Sequence, residues 1–191
     1  MKDKTIGFAI CGSFCTIEQS LSVLKELAKS DANIIPIMSQ IVYTTDTRFT
    51  KAESLIKTVE EITQNTVIKT VEQAEPIGPK GLLDLLIICP CTGNTISKIA
   101  NGITDTSVTM AAKAHLRNNR PVLISLATND ALSGSAQSIG RLLSMKNVYF
   151  TPFGQDDALK KPTSMICDFG SVIKAGKLAL EGKQIQPILL K

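Results

Sequence analysis

Residues 90–105, Pro-Cys-Thr-Gly-Asn-Thr-Ile-Ser-Lys-Ile-Ala-Asn-Gly-Ile-Thr-Asp, gather much of what this chain offers a ligand. Cys91, Thr92 and Gly93 make a tight loop of small residues, and Asn94 or Thr95 can cap the helix that follows. Such a loop lets a flat or phosphorylated molecule approach the backbone and a helix N-terminus. An ordinary strand-to-helix connection uses the same residue types, so the stretch has two readings on its own. Gly12-Ser13 repeats the theme: a glycine turn with a hydroxyl suits a phosphate, although the full GxGxxG fingerprint is absent. Arg48, Lys80 and Lys161 are cations in predicted loops and turns, each able to meet a carboxylate or phosphate. Asp105 and Asp130 are available carboxylates, but no proton acceptor stands out, and Asp105 is equally a helix cap. The catalytic residue is left open.

The elements that must position these groups follow from the hydrophobic pattern. Leu85–Cys89 is a continuous apolar run, read as a strand buried on both faces and ended by Pro90. Thr5–Cys11, Asn33–Met38, Val122–Leu126 and Val148–Thr151 read as further strands, with Val67–Thr70 a short edge strand. Helical spacing appears from about Thr16 to Ser30, Lys51 to Thr63, Val108 to Asn118, Ser133 to Met145 and Ser164 to Glu181. Residues 41–49 read as an irregular Thr-rich connection, 75–80 as a stiff turn, and 152–162 as a long polar loop. The apolar tail at 186–190 is expected to dock. Alternating strands and helices predict an α/β fold: three layers, doubly wound, a mostly parallel Rossmann-like sheet. No linker divides the chain, so one domain over 1–191 is expected. Gly12-Ser13, Ser39, 90–95 and 127–130 then fall at strand carboxyl ends, the ligand edge of such a sheet.

Composition narrows the chemistry. The chain is 43% apolar and 20% charged with net charge +4 and no basic run, which favours small anions over nucleic acid. It has no Trp and only two Tyr, so a base-stacking platform is not expected. No apolar run approaches a membrane span and no signal-peptide pattern opens the chain, so a cytoplasmic protein is expected. Five cysteines (Cys11, Cys15, Cys89, Cys91, Cys167) argue against a disulfide framework. Cys89 and Cys91 are spaced too closely for a zinc knuckle, and His115 is the only histidine, so buried thiols and no metal are expected.

Pro90, Asn94, Thr95, Lys98, Ala100, Gly102 and Asp105 keep the places of the Pro-Ala-x-x-Asn-Thr-x-x-Lys-x-Ala-x-Gly-x-x-Asp signature of the flavoprotein superfamily, which the chain resembles. That group includes flavin-containing cysteine decarboxylases and flavin prenyltransferases. Gly12-Ser13 is similar to its first phosphate-side turn, and Arg117–Pro121 to the stretch entering a later strand. The resemblance implies a Rossmann-like flavoprotein fold, homo-oligomers built from trimers, and FMN bound between protomers. It implies Gly12, Ser13, Ser39, Pro90, Thr92, Asn94, Thr95 and Thr128 as cofactor-side residues. Residues 74–80, 128–132, 152–157 and 186–189 are further similar to one component of a two-component synthase of spore-forming bacteria. The partner component resembles a dehydrogenase using NADP or NAD. That likeness implies oxidation of a cyclic dicarboxylate; two carboxylates favour fixed cationic partners, for which Arg48, Lys80 and Lys161 are the candidates.

Two further segments depart from the superfamily pattern. Residues 39–50 lack the histidine that the cysteine decarboxylases carry after the second strand. Their Pro-x-Met-Asn motif is replaced by Ala127-Thr-Asn-Asp130. Three roles therefore stay open: an oxidising enzyme component, a non-catalytic partner with a vestigial flavin pocket, and a prenyltransferase- or decarboxylase-like flavoprotein.

Overall fold

The computed structural model describes residues 1–190. Its frame is five parallel strands in the order β2–β1–β3–β4–β5: β1 (Thr5–Ile10), β2 (Asn33–Met38), β3 (Leu85–Cys91), β4 (Val122–Thr128) and β5 (Val148–Phe150). β3 is buried along its whole length, as an apolar run covered on both faces must be. Helices cover each face, giving the predicted three-layer, doubly wound α/β fold. On one side α1 (Ile17–Ala28), α3 (Ala52–Thr63) and α8 (Val172–Leu180) pack on Phe8, Ile10, Leu85 and Ile87. On the other, α5 (Gly93–Ala100), α6 (Ser107–Leu116) and α7 (Ala136–Leu143) pack on Ala9, Leu86, Ile88 and Ile124. Fully buried side chains such as Phe8 and Phe150 each contribute about 1.5–3 kcal/mol to this core. No helix among the described residues is long and apolar enough to cross a membrane.

Several local expectations fail for identifiable reasons. Pro90 does not end β3; the strand continues through a cis Cys89–Pro90 peptide to Cys91. The pairing with β4 shifts register between Ile88 and Cys91, so the missing N–H falls at an irregularity, where a sheet tolerates proline. Residues 40–44, expected as loop, form the short helix α2 (Gln40–Thr44). Val67–Thr70 contributes only an isolated bridge, Ile68 to Ile37, and 71–74 form α4 (Val71–Ala74), closed by a Thr70–Gln73 capping box. The largest difference is a hairpin. β6 (Phe153–Gly154) and β7 (Met165–Cys167) pair antiparallel, and β7 also pairs antiparallel with the end of β4 through Ala127 and Thr128. Met165-Ile166-Cys167 is strand and not the start of a helix, which begins only at Val172; three apolar residues fit either period. The tail docks on β6: Phe153 N–H donates to Ile188 O at 3.0 Å, and Leu190 N–H to Phe153 O at 3.0 Å.

The thiols are buried except Cys15, which departs from expectation by being exposed. Burial pushes the Cys89 thiol up to about 12. His115 is 1% exposed, and its Nε2 lies 3.0 Å from the Pro121 carbonyl, tying α6 to the start of β4. Burial pushes its pKa down from 6.5 to about 4. The neutral imidazole is therefore the form the fold accepts. Its full contribution is present above pH 6.5 and is lost as pH falls toward 4. A shift of that size corresponds to about 3 kcal/mol. Urea denaturation of the wild-type chain is expected to weaken across this window, and His115→Gln to flatten that part of the decline.

Candidate functional site

The strand order reverses its winding between β1 and β3, and there the carboxyl ends of neighbouring strands diverge. An open parallel sheet binds ligands at such a switch point, and the 2-1-3-4-5 order places it between β1 and β3. Cys11 N–H donates to Pro90 O at 3.1 Å, holding the Gly12-Ser13 turn beside the Thr92 loop. Two clefts open from this point and share Gly12 and Thr92.

One cleft, of about 470 Å³, is lined by Ser39, Asn94, Thr95, Lys98 and Thr106 as well. The N-cap of α5 is Thr92, not Asn94 or Thr95: its Oγ1 accepts from Thr95 N–H at 3.4 Å, and its carbonyl from Ile96 N–H at 2.9 Å. The amides of Gly93 and Asn94 have no such partner among the described residues, as befits the first turn of a helix. Ser39 is 8% exposed, and its Oγ is a buried side-chain oxygen with no hydrogen-bond partner among the described residues. A buried hydroxyl left unpaired is costly, and here it lies beside a helix N-terminus. Gly12 has no room for a side chain, since a Cβ there would lie 2.7 Å from Ile41 Cγ2. These donors fit a phosphate group.

The other cleft, of about 480 Å³, adds Ser13, Cys15, Arg48, Thr128, Asp130, Asp156 and Lys161. Arg48 comes from the loop after α2, its guanidinium 4.8 Å from the Phe49 ring centre. Lys161 comes from the β6–β7 loop and pairs with Asp156 at 3.0 Å. Burial pushes the Asp156 carboxyl up, but the Ser164 hydroxyl and the Lys161 ammonium outweigh it and hold it below its ordinary value. That loop is stitched to the turn after β4: Thr163 Oγ1 donates to Asn129 O at 2.6 Å, and Leu132 N–H to Thr163 O at 3.0 Å.

The structure thus brings together Gly12, Ser13, Arg48, Thr92, Thr128 and Lys161 in one cleft and Ser39, Asn94 and Thr95 in its neighbour. Pro90 and Lys80 line neither. Pro90 is buried in β3 and acts through its carbonyl on Cys11. Lys80 is exposed in the turn that precedes β3, toward the opposite edge of the sheet. Lys98 and Asp105 form an ion pair at 2.8 Å, and Thr106, not Asp105, caps α6. Gly102 takes φ +70° just past α5, where Ile103 N–H donates to Lys98 O at 2.9 Å. Asn129 falls in the 127–130 segment already expected at the ligand edge, whereas Asp156 in the cleft wall and Ser135 behind Asp130 are not singled out by the sequence, because their places depend on the hairpin and turn that carry them.

Residues 1–179 match the family model described as Flavoprotein. The chain belongs to the flavoprotein family. Over all 191 residues this flavoprotein is 44% identical to the dipicolinate synthase B subunit of Bacillus subtilis (strain 168), covering 96% of that protein. It matches the crystal structure of the dipicolinate synthase B subunit from Bacillus halodurans C with a TM-score of 0.91 at 40% identity, covering 100% of this chain and 97% of that one. The FMN-dependent cysteine decarboxylase SpaF shares the fold at a TM-score of 0.61 and 17% identity, over 94% of this chain and 98% of that one. The superfamily resemblance carried by residues 90–105 is borne out.

The orphaned hydroxyl makes a two-sided prediction. Ser39→Ala is expected to keep or raise the melting temperature of the free flavoprotein while weakening its stabilisation by inorganic phosphate. Thr92→Ala, which removes a helix cap, is expected to cost about 1 kcal/mol. Thermal melts with and without phosphate read both.

Proposed function

We propose that this chain is the B subunit of a dipicolinate synthase, working with a nicotinamide-dependent, dehydrogenase-like A subunit to oxidise dihydrodipicolinate to dipicolinate. The observation that carries the reading is the meeting of Arg48 and Lys161 in one cleft. They lie 113 residues apart (161 − 48) and are delivered by separate loops. A ring with two carboxylates suits two fixed cations, because charge-assisted hydrogen bonds to carboxylate are strong and directional. The full-length likeness to the dipicolinate synthase B subunit supports the same substrate. Homo-oligomers built from trimers, and the cytoplasm of a sporulating mother cell, are the setting this reading assigns.

The neighbouring cleft fits the phosphate end of FMN. Ser39 Oγ, the Gly12-Ser13 turn and the first turn of α5 at Asn94 would hold it, with Thr95, hydrogen-bonded to Thr92 and Cys11, shaping the wall behind. Bound there, a flavin supplies a two-electron acceptor; NADP or NAD on the A subunit supplies the same. This chain's part is to bind and orient the ring. Arg48 and Lys161 neutralise the carboxylates, and the Phe49 side chain, 52% exposed, stands beside Arg48 in the cleft wall. A second reading, in which the B subunit shapes the site but carries no flavin, is favoured by the position of the single histidine, which is buried against Pro121 and brings no imidazole to the clefts.

An FMN titration, followed by flavin fluorescence, separates the two readings. Saturable quenching lost in Asn94→Ala supports a working flavin pocket; its absence at high protein concentration leaves the oxidant on the A subunit. In either case Arg48→Ala and Lys161→Ala are each expected to weaken dipicolinate binding by about tenfold or more. Calorimetric titration of dipicolinate that showed no change in both variants would overturn the dicarboxylate site.

A further inference from the structure

Aromatising a dihydro ring removes two hydrogens of different kinds. One C–H bond breaks with its electron pair, which leaves as hydride to the nicotinamide or flavin acceptor. The other hydrogen leaves as a proton, and its bonding pair becomes the new ring double bond. A base in the cleft must take that proton.

We propose that Asp130 is this proton acceptor, with Thr128, Ser135 and Gly93 as the residues that position it. The proposal rests on the dicarboxylate-oxidation reading above. Two carboxylates line the cleft, Asp130 and Asp156. Asp156 is committed to Lys161 at 3.0 Å. Asp130 has no cationic partner among the described residues. The other ionisable groups of the cleft are Cys15, Arg48 and Lys161, of which the two cations are the ones assigned above to the substrate carboxylates.

Asp130 is also oriented. Its Oδ1 accepts from Thr128 Oγ1, and its Oδ2 accepts from Ser135 Oγ at 3.0 Å. Ser135 is 1% exposed, so this hydroxyl is a fixed donor. Each carboxylate oxygen keeps a second lone pair free for a proton. All three side chains converge on Gly93, the first residue of α5. A Cβ there would lie under 3.0 Å from Ser135 Oγ, Asp130 Oδ1 and Thr128 Oγ1. The missing side chain at position 93 is what lets the carboxylate sit against the helix start, where negative charge is favoured. Asp130 stands in the turn where the decarboxylases have Pro-x-Met-Asn, so the acceptor occupies the segment in which this chain departs from them.

The test uses this chain assembled with its dehydrogenase-like partner, dihydrodipicolinate as substrate and dipicolinate as binding probe. Asp130→Asn is expected to lower kcat by about 100-fold or more, with KM and dipicolinate binding near wild type. Asp130→Ala is expected to regain rate in added acetate, a response that a purely structural carboxylate would not give. Gly93→Ala keeps the carboxylate but crowds it, and is expected to lower kcat without acetate rescue. Full kcat in Asp130→Asn, with dipicolinate bound normally, overturns the proposal alone. If Asp130→Asn fails to fold, undiminished kcat in Gly93→Ala overturns it instead. Failure of the wild-type assembly to bind dipicolinate overturns the substrate reading and this proposal with it.

Discussion

The hydrogen bond from Cys11 N–H to Pro90 O, 3.1 Å long, is the constraint on which the site depends. It closes the β1–β3 pairing at its last rung, where the two strands must part to begin helices on opposite faces. Ordinary parallel pairing runs from Ile6–Leu85 to Ala9–Ile88, and the β3–β4 register then slips before Cys91. Proline brings no N–H to this place but keeps its carbonyl, and the carbonyl is the group used. Gly12-Ser13 and Thr92-Gly93 therefore lie side by side just beyond the ends of two central strands, while the other walls of the two clefts come from α2, α5 and loops. A ligand held here is held against the least deformable part of the molecule.

The two clefts divide their chemistry. One offers mainly neutral donors, the backbone amides at the start of α5 and the orphaned Ser39 hydroxyl, beside a lysine, Lys98, already paired with Asp105. Neutral donors with a helix dipole bind a phosphate without the desolvation cost of burying a cation. The other offers full charges, Arg48, Lys161, Asp130 and Asp156, at the edge of solvent. The Asp156–Lys161 pair shows why the loops belong to the site and not merely beside it. A salt bridge this exposed contributes little to folding, and its effect is to tie the Lys161 ammonium to Asp156 at the wall of the cleft.

What the sequence reveals follows how local each feature is. β3 and the strands beside it are legible because strands buried on both faces read as unbroken apolar runs. The signature at 90–105 is legible as a unit because cap, ion pair and left-handed glycine all act close to one short helix. The hairpin is not legible. β6 and β7 hold two and three residues, and their pairing is decided by the end of β4 and the tail, far away in sequence. The same distance hides the division of the site. Lys80 and Lys161 are alike in sequence, each a lysine near a proline, yet one precedes β3 and the other borders the cleft.

The scaffold and the chemistry are also separable in energy. The residues shared with the flavoprotein signature stabilise the α5 region whether or not a ligand is present: Ala100 packs, Gly102 turns the chain, and Lys98 pairs with Asp105, while Thr92 beside them caps the helix. Of the segments that differ, residues 45–50 and 129–130 are loop and turn, whereas α2 places Val42 in the core and Ala127 and Thr128 end β4. If a ring and a phosphate bind as proposed, a loop exchanged there would change which groups meet the ring and leave β1 and β3 in place. Gly93 is the point where the two sets meet, since it is both the first residue of the signature helix and the floor beneath Asp130. A side chain at that one position would press on Ser135, Asp130 and Thr128 together and displace the carboxylate, which makes Gly93 the narrowest link between the helix start and the segment that differs.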